Sequence, residues 1–218
     1  MKLVIFDVDG TLVDSQAQIL RSMGLAFDGL GMVPPDREAV LGIVGLSLPQ
    51  AMARLVPGAD EGLLGNLVQG YKNSFQIQIS DGPAPLFPGA LDALQALASR
   101  DDLRLGVATG KSRRGLDHLL NAHGLTGLFV TTQVADDHPS KPHPSMVLTA
   151  MQQAGVAPEN TVMIGDTTFD IDMGLAAQAR AIGVSWGYHP ATDLRHADAV
   201  INTFAELDAT LAWIWGQA

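Results

Sequence analysis

Two carboxylates, Asp7 and Asp9, stand at the end of an apolar run from Leu3 to Phe6 and just before Gly10. The run reads as a buried strand, so both acids arrive at its carboxyl end. Gly10 lets the chain turn there, and extended geometry need not persist through Asp9. In open α/β sheets, ligands gather at the carboxyl ends of the strands. Two like charges held in a crevice raise each other's pKa, and a bound cation removes that cost. The pair therefore points to a metal site in which one carboxylate is a nucleophile and the other an acid/base. Asp9-Gly10 is also a common turn pair, and an acidic turn after a strand accounts for this stretch equally well.

Three further stretches carry residues of the same chemistry. Thr109-Gly110-Lys111-Ser112 combines a hydroxyl, free backbone N–H groups and the start of a predicted helix, which together make an anion site. Lys111, Arg113 and Arg114 add positive charge there, although neighbours on a helix point different ways and the two arginines fit a charged surface helix start in part. In Ser140-Lys141-Pro142-His143-Pro144, Pro142 restricts Lys141 to extended geometry and Pro144 suits a helix start. A lysine fixed in this way can neutralise both a phosphate and a carboxylate. His138 and His143 read as surface or capping residues rather than metal ligands. Gly165-Asp166-Thr167-Thr168-Phe169-Asp170 places Asp166 after a strand, as Asp7 is placed, with Asp170 one helical turn further on. Asp166 and Thr167 are equally suited to cap a helix. One such segment is unremarkable; four, each after an apolar strand or before a helix, are hard to assign to caps and turns alone.

The elements that must position these residues alternate. After Asp14 the pattern becomes helical, with Ile19, Leu20, Met23, Leu25, Ala26, Phe27 and Leu30 at helical spacing and Gly29 and Gly31 as stops. Ser47 before Pro49 is a candidate cap, and Leu63 to Tyr71 give one more helix. Residues 15–82 read as an all-helical insert, closed by the turn-rich Asp81-Gly82-Pro83-Ala84-Pro85. From Phe87 onward strands are expected at Leu103–Thr109, Leu128–Val130, Thr161–Ile164, Ala181–Val184 and Ala199–Ile201. Helices are expected after Pro88-Gly89, over Ser112–His123, Pro144–Ala154 and Ile171–Ala179, and from Phe204 to Trp215. This alternation predicts an α/β fold, a Rossmann-like parallel sheet with helices on both faces, with residues 1–14 and 83–218 as its core and the helical insert as a second unit.

Composition bounds the chemistry. The 218 residues are 47% hydrophobic and carry a net charge of −10. A substantial core follows, and nucleic acid and anionic membrane surfaces are disfavoured as partners. There is no cysteine, which excludes disulfides, thiolate catalysis and Cys-based zinc sites. No apolar run approaches membrane-spanning length. The chain enters its first strand without a basic region followed by a long apolar segment, so a cytoplasmic protein is the expectation.

Asp7-Val8-Asp9-Gly10-Thr11, Thr109-Gly110, Lys141-Pro142 and Gly165-Asp166-Thr167-Thr168-Phe169-Asp170 resemble, in order and spacing, the four motifs of the haloacid dehalogenase superfamily. The helical insert, Val107–Ser112 and Val184–Tyr188 are similar to its phosphoglycolate phosphatase-like branch. The resemblance implies a phosphatase acting on a small phosphomonoester, with phosphoglycolate as the branch's suggestion. It implies that Asp7 attacks phosphorus to form an aspartyl-phosphate and that Asp9 serves as acid and then base. It implies Mg²⁺ held by Asp7, the Asp9 carbonyl and Asp166, with Asp170 supporting. Thr109, the Gly110 N–H and Lys141 would hold the phosphoryl group, and Thr11 would orient Asp9. The physics agrees: unit charges at ~4 Å repel by about 4 kcal/mol at an effective dielectric near 20, and a cation and a lysine between two anions reverse that sign.

Three other readings compete. A phosphomutase resembling β-phosphoglucomutase would need more polar residues than the insert offers, chiefly Arg54, Tyr71 and Lys72. A haloacid dehalogenase needs no acid at the position of Asp9. A phosphorylated receiver without turnover is shorter and has no insert. An insert between Asp14 and the second strand is expected to act as a lid. Within it Gly42–Ser47 is either a plain helix–helix connection or a loop facing the substrate. Trp213 and Trp215 anchor either the core or a contact with a second copy, which leaves monomer and homodimer both open.

Overall fold

The structure is a computed structural model that describes residues 1–78 and 82–216, with residues 76–78 given by their backbone alone. Strands β1 (Lys2–Phe6), β2 (Leu103–Thr109), β3 (Thr131–Val134), β4 (Thr161–Gly165), β5 (Arg180–Val184) and β6 (Ala199–Ile201) form one sheet. Its order is β3-β2-β1-β4-β5-β6, and every pairing is parallel. The chain steps from β1 outward to β3, then returns to the far side of β1 as β4. The carboxyl ends of β1 and β4 therefore meet at the point where the winding reverses, the crevice in which such sheets bind ligands.

β1 is apolar from Leu3 to Phe6 because both of its faces are covered there. Val4 and Phe6 point into a cluster with Leu105, Val107, Ile164, Leu94 of α5 (Ala90–Ala98), Leu116 of α6 (Arg113–Ala122) and Leu211 of α9 (Leu207–Gly216). Leu3 and Ile5, offset by one residue, face Met146 of α7 (Ser145–Ala154) and Met173 of α8 (Thr168–Ala176). The α/β class expected from the alternation is the observed architecture.

Helices α1 (Gln16–Asp28), α2 (Arg37–Leu41), α3 (Leu48–Leu55) and α4 (Glu61–Gln78) build a separate apolar cluster around Met23, Phe27, Met52 and Leu67. Phe169 of α8 also belongs to it, so one side chain of the sheet layer is buried among the helices. The outgoing and returning chains lie side by side. Val13 and Leu86 form an antiparallel bridge, Asp14 N–H donates to the Pro85 carbonyl at 2.9 Å, and Phe87 N–H donates to that of Leu12 at 2.9 Å. Asp81, in the expected return turn, lies outside the described residues.

Several boundaries differ from expectation. The third strand is Thr131–Val134, not Leu128–Val130. Leu128 and Phe129 instead pack as half-buried residues against the main cluster. α8 starts three residues before the expected Ile171, because Asp170 caps it. Phe204–Glu206 is a separate 3-10 turn before α9. Ser47 does stand at the start of α3, but its side chain makes no capping hydrogen bond.

Candidate active site

Asp7 extends β1 by one residue, its N–H donating to the Ile164 carbonyl of β4 at 2.9 Å. Its side chain is 1% exposed, and neither carboxylate oxygen has a hydrogen-bond partner among the described residues. Lys141 Nζ stands 2.7 Å from Oδ1 and forms an ion pair with it. The same ammonium donates to Asp170 Oδ1 at 2.6 Å and is completely buried. The Lys141–Pro142 peptide is cis. Asp170 Oδ2 accepts from the backbone N–H of Thr167 at 3.1 Å and from its hydroxyl at 2.7 Å, which starts α8. Asp170 thus caps a helix and faces the lysine with different oxygens.

Asp166 follows β4 and is also completely buried. Its Oδ1 accepts from the Thr11 hydroxyl at 2.9 Å and its Oδ2 from the Tyr188 N–H at 2.8 Å. Thr11, expected to orient Asp9, is bonded to Asp166 instead; the turn at Gly10 aims it across the crevice at β4. A Cβ on Gly10, whose φ is +84°, would lie 2.2 Å from Asp166 Oδ2, and one on Gly187 would lie 2.0 Å from Asp166 Cβ. Asp166 therefore fits a slot that exists because two of its walls lack side chains.

Asp7, Asp166 and Asp170 each present an oxygen within 4.8 Å of the others. Burial pushes the Asp7 carboxyl up to about 7, against the pull of Lys141 and with Asp170 and Asp9 adding to the rise. Burial likewise holds Asp166 well above the usual carboxylate range; Asp170 and Asp7 reinforce it, and the bonds from Tyr188 and Thr11 oppose it. Burial disfavours the Lys141 charge, but Asp170 and Asp7 outweigh it and keep the ammonium charged beyond the ordinary lysine range. Three carboxylates cluster here, and the one ammonium pairs with two of them, Asp7 and Asp170. The excess of negative charge, the all-oxygen donor set and the unbonded oxygens of Asp7 fit a hard divalent cation.

Asp9 sits outside this group. Both of its oxygens face Lys111 Nζ, at 2.7 and 2.8 Å, and that ammonium lies 5.2 Å from the Phe75 ring centre on α4. Thr109 is 1% exposed at the end of β2, and its Oγ1 accepts from the Lys111 N–H at 3.2 Å. Gly110 lies directly under the helical layer: a Cβ there would be 2.7 Å from the carbonyl oxygens of both Gly45 and Leu46. The Gly42–Ser47 loop is therefore no plain helix connection. It packs on the sheet layer, and Ser47 N–H donates to Ser140 Oγ at 2.7 Å. Between the layers is a cavity of about 510 Å³, walled below by Asp7, Asp9, Thr109 and Gly110 and above by Leu46 and Tyr71.

The structure thus gathers Asp7, Asp166 and Asp170, pairs Lys141 with Asp7 and Asp170, places Thr11 against Asp166, and leaves Asp9 beside them with Thr109 and Gly110 on the cavity floor. His138 bonds Ser145 and Gln133, and His143 accepts from the Ser145 N–H, all away from the acids. Arg113 binds Thr132, whereas Arg114 lines the cavity. The partners of Lys111 and Tyr188 were not legible. Both residues lie in stretches with a recognisable pattern, but their contacts join segments 102 and 22 residues apart.

A family model described as "Haloacid dehalogenase-like hydrolase" matches residues 4–184. "Probable phosphatase IndB" of Dickeya dadantii is 38% identical over 212 residues, covering 94% of this chain and 91% of that one. A phosphoglycolate phosphatase of Nitrosococcus oceani is 29% identical over 218 residues, covering 97% and 96%. A haloacid dehalogenase-like hydrolase from Streptococcus pneumoniae superposes with a TM-score of 0.84 at 26% identity, covering 96% and 98%. On its sequence, its fold and the acids gathered at the reversal of its sheet, the chain belongs to the haloacid dehalogenase-like hydrolases.

Proposed function

We propose that this hydrolase is a Mg²⁺-dependent phosphatase of small phosphomonoesters that works through an aspartyl-phosphate on Asp7. The observation that carries the reading is the buried carboxylate of Asp7, whose Oδ1 lies 2.7 Å from the Lys141 ammonium and whose Oδ2 has no hydrogen-bond partner among the described residues. An oxygen with no donor bonded to it keeps its lone pairs for attack.

In the first step an Asp7 oxygen bonds to phosphorus as the bond to the leaving alcohol breaks, and Asp9 gives that alcohol a proton. In the second, Asp9 takes a proton from water as the water oxygen bonds to phosphorus and the bond to Asp7 breaks. Thr109, the Gly110 N–H and Lys141 hold the phosphoryl oxygens throughout. Asp7, Asp166 and the Asp9 carbonyl would hold Mg²⁺, with Asp170 supporting. The bound ion offsets the carboxylate charge that otherwise repels a phosphate. Residues 15–82 act as a cap that closes over the site, residues 1–14 and 83–218 as the catalytic core. A small acid such as phosphoglycolate, the substrate named for the Nitrosococcus oceani relative, suits a site of this kind.

Phosphate release from an aryl phosphate with Mg²⁺ tests the proposal. Asp7→Asn is expected to abolish it, and turnover that survives in this variant would remove Asp7 as nucleophile.

A further inference from the structure

The roof of the cavity is apolar. Ile19, Met23, Ile43, Val44 and Leu46 line it, and all belong to the hydrophobic cluster of the helices. Tyr71 and Phe75, one turn apart on α4, add two rings to the same wall. Their planes differ by 13° and their centres are 6.1 Å apart, so they form one flat aromatic surface. Tyr71, counted from the sequence among the few polar residues of the insert, contributes its ring. Burial, with the nearby charge of Asp9, pushes its phenol pKa up, and the group stays neutral.

A chain of contacts fixes where this surface lies. Lys111 Nζ stands 2.7 Å from Asp9 Oδ1 and 5.2 Å from the centre of the Phe75 ring. The rings are therefore one ammonium away from Asp9, the residue proposed above to protonate the leaving alcohol. The alcohol half of a substrate departs on the Asp9 side, and beyond Lys111 it meets an aromatic wall. The charge of Lys111 is matched by both oxygens of Asp9; Lys72 and Arg114, which also line the cavity, are exposed and stand at its rim. Size points the same way. At about 510 Å³ the cavity lies within the roughly 300–1,000 Å³ typical of sites that enclose drug-sized ligands. A two-carbon acid such as phosphoglycolate covers the floor and leaves the rings bare, which forgoes the burial of apolar surface against them.

We infer that Phe75 and Tyr71 form a leaving-group subsite, and that the preferred substrates are phosphomonoesters whose alcohol carries an apolar ring one or two carbons from the ester oxygen. The phosphoryl group sits against Thr109 and Gly110, and the ring of the alcohol lies along Phe75 and Tyr71. Both are specificity residues: they touch the leaving group and take no part in making or breaking bonds. The inference rests on the phosphatase reading above and sets the substrate class within it.

A matched pair of esters tests it. 2-Phenylethyl phosphate and ethyl phosphate differ by one phenyl ring, which is too far from the ester oxygen to change the acidity of the alcohol much. p-Nitrophenyl phosphate is the control for phosphatase activity itself. The wild-type kcat/KM is expected to favour the phenylethyl ester by about tenfold or more. Phe75→Ala and Tyr71→Leu should each compress that ratio towards unity, with the loss concentrated on the phenylethyl ester. The second variant keeps a large apolar side chain in α4 should the first fail to fold. The ratio is the readout, because a purely structural role of the rings in the helical layer would depress both esters alike. No wild-type preference, equal losses on both esters, a higher kcat/KM for phosphoglycolate than for the phenylethyl ester, or turnover of the aryl ester alone would each overturn the inference and leave the phosphatase reading standing. Failure of every ester with Mg²⁺ would overturn that reading, and the inference with it.

Discussion

Gly110 and Gly45 meet backbone to backbone: a methyl group on Gly110 would stand 2.7 Å from the Gly45 carbonyl oxygen. One residue directly follows the strand β2 at the cavity floor; the other belongs to the loop that roofs it. Gly110→Ala has no flexible side chain to push aside, so the loop or the strand end must move. Because small misplacements near reacting groups are expensive, kcat/KM for an aryl phosphate should fall by about tenfold or more. Steady-state kinetics beside a melting curve would check this. A normal rate would mean that the roof loop is not needed in this position.

Lys141 is the sole ammonium between Asp7 and Asp170 among the described residues. Removing one partner from a buried ion pair costs about 3–5 kcal/mol, roughly 10 °C in Tm for a chain of this size. Lys141→Met should show that loss near neutral pH in a chelating buffer. Near pH 5 the loss should shrink, because the abandoned carboxylates can take up protons. A Tm change independent of pH would argue against charge as the cause.

The wild type carries its own pH signature. Folding raises Asp7 from an ordinary 3.8 to about 7. Between those values the folded chain keeps a proton that the unfolded chain has lost, so the metal-free protein becomes less stable as pH rises through that window. On the proposed reading, Mg²⁺ would compete with that proton. Its stabilisation should therefore grow with pH, by several degrees of Tm between about pH 5.5 and about pH 8. Equal Mg²⁺-induced shifts at both pH values would count against Asp7 and Asp166 as its ligands.

Thr11 offers a finer test, since its hydroxyl bonds Asp166 and not Asp9. Thr11→Val should raise the Mg²⁺ concentration for half-maximal activity by about tenfold while lowering kcat much less. A kcat loss without a change in Mg²⁺ dependence would return Thr11 to the acid/base residue.

Much of this was legible in the sequence because each chemical residue follows a strand whose apolar run announces it. Asp7 and Asp166 directly follow β1 and β4 and Thr109 ends β2, and parallel strands that are neighbours bring their carboxyl ends together. The rule failed at β3. Thr131, Thr132 and Gln133 form the edge strand and are satisfied by side-chain bonds to Gln153 and Arg113, whereas Leu128 and Phe129 pack against the main cluster outside the strand and Val130, exposed, donates its N–H to the Leu105 carbonyl of β2. Contacts such as Thr11 with Asp166 were beyond reach for another reason. They depend on the direction in which a turn releases a side chain, and residue spacing does not encode that direction. Phe169 shows the same limit: its helix belongs to the sheet layer while its ring belongs to the other cluster.

Tyr188 joins two places that the topology keeps apart. Its N–H holds Asp166, and its hydroxyl, 3.1 Å from both the N and Oγ of Ser15, bonds the segment where the chain leaves for the helices. A rotation of those helices about Ser15 would pull on one aromatic ring and, through a single peptide unit, on an acid of the proposed ion site. Ion affinity and access to the cavity would then be two ends of one lever, so each must be felt at the other.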